Sequence, residues 1–205
     1  MKRIPQKSKK GMAKEEFNDR IIHDILFLPG GKPASMIVDS ASGRMSGMIL
    51  PSKGKAARHL TAWCRKWERL AEKLKIKAKP QIVCTDNGKE FIGEKKGQYE
   101  YVCDQETIVH QRGPVYTPQP QGKAERMNRT IKRLLWKLLS NLDLPRYCGK
   151  WLFNGVIDAL NECVCSATGM SPDSFVFGSE AARSISLISV GDRVMVTDPR
   201  PLPSS

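Results

Sequence analysis

From Arg20 onward, short apolar runs alternate with longer stretches in which apolar residues recur every three or four positions. The runs RIIHDILFL, SMIVD and RMSGMIL are rich in Ile, Leu and Met and are separated by Pro29–Gly31 and by Ser40–Gly43, which predicts three adjacent antiparallel strands. Between Lys53 and Lys77, the set Ala57, Leu60, Trp63, Cys64, Trp67, Leu70, Ala71 and Leu74 follows helical spacing and predicts a long amphipathic helix with both tryptophans in the core. Arg58, Arg65, Lys66, Arg69 and Lys73 mark its outer face, as cations on a solvated helix do. Pro80 then opens a short buried strand, QIVCT, whose place between helices predicts a parallel, internal position. Residues 93–106 carry little pattern beyond one short helix, and ETIVHQ predicts a strand leading into a Pro- and Gly-rich loop from Gly113 to Gly122.

The helix after that loop carries two patterns at once. Ala124, Met127, Ile131, Leu134, Leu135 and Leu138 form a buried stripe, while Glu125, Asn128, Arg129 and Lys132 share another side. A solvated polar face accounts for that mixture; so does a carboxylate that holds a metal beside groups that hold a phosphate backbone. After the break at Leu144–Pro145, WLFNGVIDALNECVC predicts a helix with Trp151, Leu152, Val156, Ala159, Leu160 and Cys163 on its apolar side. ATGMSPDSFVFG reads as a turn-rich connector anchored by Phe175 and Phe177, and VGDRVMV as one β-like run before a Pro-rich end.

Composition narrows the partner. The 205 residues suffice for one well-buried core, and the net charge of +13 is large for that length, so a polyanion, nucleic acid first, is the expected partner. No apolar run approaches the roughly 20 residues of a membrane span, and no apolar signal core opens the chain, so no membrane is expected and the reading is a soluble intracellular protein. The six cysteines form no CxxC pair and are expected to be reduced and mostly buried; three histidines cannot complete a paired Cys and His zinc site. Seven basic residues through Arg20 make residues 1–19 a basic arm or linker; residues 20–178 form the main domain and 179–205 a connector with the start of a C-terminal β element.

Three carboxylates stand at informative places. Asp24 interrupts the first apolar strand, Asp86 ends the strand QIVCT, and Glu125 lies in the first turns of its helix. Asp24 on an open sheet face and Asp-Asn-Gly as an ordinary turn are the plain alternatives, and Asp39 reads as a turn cap. Two divalent cations roughly 3.5–4 Å apart need several carboxylate oxygens and can activate a nucleophile and stabilise a leaving oxygen in phosphoryl transfer. No other cluster in the chain could do this.

The segments HDI with LPGG, VDSASGR, CTDNGKEF and HQRGPVYTPQPQGKAERMNRT resemble the integrase catalytic core of retroviruses and long-terminal-repeat retrotransposons. LLSNLDLP, Trp151, ATGMSP and VFG look closest to copia-type elements, and the resemblance covers roughly residues 20–196. It implies an α/β, ribonuclease H-like fold with a mixed five-stranded sheet and flanking helices. It places the catalytic, metal-holding triad on Asp24, Asp86 and Glu125, with two Mg2+ or Mn2+ ions, and the DNA-contacting positions on Tyr116, Gln121, Lys123, Asn128, Arg129 and Lys132. The implied reactions are trimming of element DNA ends and their transfer into target DNA. Double-stranded DNA is the implied partner, with a homo-oligomer as the active form and a nuclear location after a cytoplasmic phase.

Three departures accompany this. The spacing from Asp86 to Glu125 is 39 positions (125 − 86), slightly long for the family, with GEKKGQYEYVCD as the expected insertion. The zinc-binding N-terminal domain of complete integrases is missing, and the stretch after VGDRVMV is short, so a fragment or degenerate copy is expected. A non-catalytic integrase-derived DNA-binding or scaffolding protein is therefore the alternative, and a nuclease of the same fold the third reading.

Overall fold

A computed structural model describes residues 15–92, 98–113, 118–166 and 168–178. The strands β1 (Arg20–Phe27), β2 (Pro33–Asp39), β3 (Met45–Ile49), β4 (Ile82–Thr85) and β5 (Val109–Arg112) form one sheet in the order β3-β2-β1-β4-β5. β1, β2 and β3 pair antiparallel and β4 joins β1 and β5 in parallel, so the expected mixed five-stranded sheet is present, with β4 internal. The helices are α1 (Ala57–Leu74), α2 (Lys89–Ile92), α3 (Gln98–Gln105), α4 (Pro118–Asn141), α5 (Gly149–Glu162) and α6 (Pro172–Phe177).

Alternation along β1 divides the core between the two faces of the sheet. Ile21 and Ile25 join Leu60, Trp63 and Trp67 of α1 with Phe91 and Tyr99 on one face. Leu26 joins Met36, Val38, Ile131 and Leu135 with Phe153 and Ile157 of α5 on the other. Gly47 of β3 is required there, since a Cβ would overlap the Phe153 and Ile157 side chains. The fold is thus three layers, with α1 and α3 on one side and α4 and α5 on the other.

The α1 face also buries a polar chain. Tyr99 Oη lies 2.7 Å from His23 Nδ1, His23 Nε2 contacts Ser35 Oγ, Ser35 Oγ lies 2.8 Å from His59 Nδ1, and His59 Nε2 lies 3.0 Å from Ser46 Oγ. Burial holds His23 well below its usual range and pushes His59 down to about 3, so both rings are neutral at pH 7. One direction of donation satisfies every link: Tyr99 to His23, His23 to Ser35, Ser35 to His59, and His59 to Ser46.

Several expectations need correction. Phe17 and Asn18, assigned to the basic arm ending at residue 19, are buried; Phe17 packs edge-on against Trp67 at 4.6 Å, and the Asn18 side chain bonds Trp63 and the Lys77 carbonyl. A lone Phe gave no periodic signal. The loop expected up to Gly122 becomes helix at Pro118, because prolines in a first turn lack only N–H groups that have no intrahelical partner. The connector around Phe175 is helix α6, capped where Ser171 Oγ accepts from Ser174 N–H at 3.1 Å, with Pro172 at the first position. Phe175 and Phe177 do anchor it against the α1 core. Trp151, Ala159 and Cys163, expected in the core, are exposed. Cys64, Cys84, Cys103 and Cys148 are buried free thiols, as expected. The VGDRVMV run and residues 1–14 lie outside the described residues. Among the described residues no helix is long and apolar enough to cross a membrane.

Candidate active site

Strand register brings the first two carboxylates together. β1 and β4 pair in parallel as far as Ile22 opposite Cys84, and the same offset two residues further puts Asp24 level with Asp86. Parallel neighbours lie about 4.8 Å apart, and residues two apart point to the same face. Ile22 and Cys84 pack on Ala124, so the start of α4 is seated over these two strands, and Glu125 follows Ala124 directly. Asp24 therefore does not face open water; it is half-buried beneath α4.

Both oxygens of Asp24 are fixed. Ile25 N–H donates to Oδ1 at 2.8 Å and Asn128 Nδ2 donates to Oδ2 at 2.6 Å. Asp86 Oδ1 accepts from Gly88 N–H at 3.0 Å, closing the Asp-Asn-Gly turn, and Asn87 Nδ2 ties that turn to the Gly113 carbonyl at 3.0 Å. Below it, Thr85 Oγ1 lies 2.8 Å from His110 Nε2, and His110 Nδ1 lies 3.1 Å from Glu100 Oε1, which also binds Arg112. Burial lowers His110, and its Nδ1–H donates to Glu100, whose carboxylate can only accept.

Asp24 titrates above the usual carboxylate range. Burial is the main cause; the charges of Asp86 and Glu125 push the same way, against the hydrogen bonds from Ile25 and Asn128. Three carboxylates from two strands and a helix thus share one electrostatic environment. Asn128 Oδ1 is left buried without a protein partner beside them. This donor set is all oxygen, with charge in excess and lone pairs to spare, and fits a hard divalent cation in chemistry. In the conformation described, no three His, Cys, Asp or Glu groups among the described residues converge to metal-holding distance.

The remaining sequence-derived positions divide. Arg129 and Lys132 are exposed on the Glu125 side of α4. Asn128, expected at DNA, gives its amide to Asp24. Lys123 donates to the Ser40 carbonyl at 2.8 Å and is turned toward the β2–β3 turn, where burial lowers its ammonium. Tyr116 lies outside the described residues, and Gln121 is described only by its backbone in α4. Asp39 caps the β2–β3 turn, accepting from Ser42 N–H at 2.7 Å, and is itself buried. Sequence reasoning missed the Thr85–His110–Glu100 support; a histidine within a weak strand and an acid in the helix before it were the only signal.

A mixed five-stranded sheet with helices on both faces is the ribonuclease H-like fold, and solved structures share it. The chain has the fold of a chain in the structure of the simian T-cell lymphotropic virus intasome in complex with PP2A regulatory subunit B56 gamma, with TM-score 0.59 and 20% identity over 89% of this chain and 60% of that one. The HTLV-2 integrase catalytic core, solved in complex with magnesium, matches at TM-score 0.54 and 21% identity over 78% of this chain and 96% of that one. The BIV integrase catalytic core gives 0.53 and 19%, over 80% and 97%.

No protein-family profile matches the chain. In sequence it is similar to the Pol-related polyprotein of the mouse intracisternal A-particle MIA14, 33% identical over 112 residues, which is 54% of this chain and 12% of that protein. The Pol polyprotein of radiation murine leukemia virus (strain Kaplan) is 32% identical over 112 residues, 54% of this chain and 17% of that one. The retrovirus-related Pol polyprotein from the tobacco transposon TNT 1-94 is 29% identical over 123 residues, 60% and 9%. The chain thus spans under a fifth of the length of these relatives, which are retroviral and retrotransposon Pol polyproteins and do not single out the copia type.

Proposed function

We propose that this chain is the catalytic core of a DNA integrase, a metal-dependent polynucleotidyl transferase that trims element DNA ends and joins them to target DNA. The observation that carries the reading is geometric: strand register sets half-buried Asp24 level with Asp86, and Ala124 seats the start of α4, with Glu125 next in sequence, over the same two strands. Asp24, Asp86 and Glu125 would hold two magnesium or manganese ions, which supply activation of the nucleophile and stabilisation of the leaving oxygen when bound. Asn128 fixes the Asp24 carboxylate; the Gly88 amide fixes that of Asp86. Arg129 and Lys132, exposed on the Glu125 side, would hold the phosphates of double-stranded DNA, with Tyr116 and Gln121 as further contacts; Lys123, bonded to the Ser40 carbonyl, is left out of that set. A homo-oligomer acting in the nucleus is part of this reading.

The test is Glu125→Gln, which keeps size and helix but removes one charge. It should abolish metal-dependent strand transfer or disintegration on labelled element ends, and unchanged joining would sink the proposal. The second reading, a non-catalytic DNA-binding or scaffolding derivative, is favoured by the lack of converged metal-holding groups among the described residues. It predicts salt-sensitive DNA binding indifferent to Glu125 and no metal-dependent product. Cleavage without joining on the same duplex would point to the nuclease.

A further inference from the structure

Beyond the carboxylates, the same helix leads to a second feature. Trp136 lies 11 residues after Glu125, close to three full turns, so it stands on the Glu125 side about 16 Å along the axis. Its ring is 45% exposed and carries Arg146, whose Cζ lies 5.1 Å from the ring centroid. Trp151, 63% exposed, has Lys150 Nζ at 4.5 Å over its ring and Tyr147, 58% exposed, edge-on at 5.7 Å. The platform is rigidly mounted. Gly30 approaches the backbone of Arg146 and Tyr147 so closely that a Cβ would lie 3.0 Å from Tyr147 Cα, and Gly149 packs on Pro29 in the same way.

A cluster of exposed rings rimmed by cations marks an interaction surface. Between residues 126 and 157 the chain carries seven Lys or Arg and one acid, Asp143, so the surroundings of these rings are cationic. Pairing that patch with its own copy would set like charges together, whereas a polyanion with flat apolar groups satisfies rings and cations at once. One face of a ring covered by a cation leaves the other for a base, the combination by which single-stranded nucleic acid is held.

We propose that Trp136, Tyr147 and Trp151 form a stacking platform for unpaired bases of a nucleic-acid strand, with Arg146, Lys150 and the exposed cations of α4 on its phosphates. The continuity with Glu125 rests on the integrase reading; the platform does not need catalysis. Intrinsic fluorescence reads it directly, because Trp63 and Trp67 are buried and only Trp136 and Trp151 are exposed. The full chain, without metal, is titrated with a dT oligonucleotide of about 20 nucleotides and a blunt duplex of equal length at fixed salt. The oligonucleotide should quench the wild type, and Trp136→Ala and Trp151→Ala should each lose about tenfold in affinity for it. Trp151→Phe should keep most of the affinity, and duplex binding should change less than twofold in all variants. Equal oligonucleotide affinity in the wild type and both Ala variants overturns the platform while leaving the integrase reading intact if duplex still binds. Failure to bind either probe overturns both. Self-association that the Ala variants abolish, seen by sedimentation, gives the rings to a second copy and overturns the proposal.

Discussion

His23 and Asp24 are neighbours on one strand, yet they meet opposite treatment on the two faces of the sheet. His23 enters a closed chain in which Tyr99, Ser35, His59 and Ser46 satisfy one another and burial removes the charge. Asp24 is bonded by Ile25 and Asn128 but lies among like charges from Asp86 and Glu125, with no cation bonded to it among the described residues. The first arrangement lowers the energy of the folded chain by itself. The second leaves an uncompensated cost, and such a cost at a half-buried site is characteristic of a place built for a ligand. Buried polarity alone does not mark function; unbalanced polarity does.

Removing the imbalance should give the largest effect. Asp24→Asn should abolish metal-dependent joining while the melting temperature holds or rises, since the charge repelled by Asp86 and Glu125 is gone; a loss of stability would break the contrast. Phe17→Ala should cost about 3–5 kcal/mol in denaturant unfolding, because the ring is enclosed by Trp63 and Trp67. His59→Ala should cost about 2–3 kcal/mol by leaving Ser35 and Ser46 short of partners, without affecting duplex binding.

The same chain predicts a pH response. His59 titrates near 3 when folded and about 6.5 when unfolded, so the unfolded chain binds the extra proton between those values. Its contribution is complete above pH 6.5 and declines by about 1.4 kcal/mol per pH unit below it, with His23 acting in the same direction. Asp24, raised in the fold, works the other way and offsets part of this loss as pH falls through its folded value. Urea midpoints from pH 7 to pH 4 check the net slope, and His59→Gln should flatten it. The smallest effect is expected at Gly47→Ala, about 1–3 kcal/mol, from overlap with Phe153 and Ile157.

Much of this was legible in the sequence, for identifiable reasons. The strands β1 to β4 and the helices α1, α4 and α5 announce themselves through apolar periodicity, and the stripe from Ala124 to Leu138 correctly turned Glu125 outward. Spacing could not say which neighbour covers a residue, so Trp151, at a core-like position, proved exposed. Ser-Pro-Asp signals a turn and a helix start equally well, which hid α6. Register was beyond one-dimensional reading: only the pairing of Ile22 with Cys84 shows that Asp24 and Asp86 end level. Nor could spacing reveal that Asn128 spends its amide on Asp24.

The central claim is that Asp24, Asp86 and Glu125 act as one cation-holding site. Calorimetric titration of the full chain with magnesium or manganese, on the wild type and on Asp86→Asn, tests it most directly. The account predicts saturable binding in the wild type that the substitution removes. Binding that survives Asp86→Asn, or none in the wild type even with duplex DNA present, would contradict it.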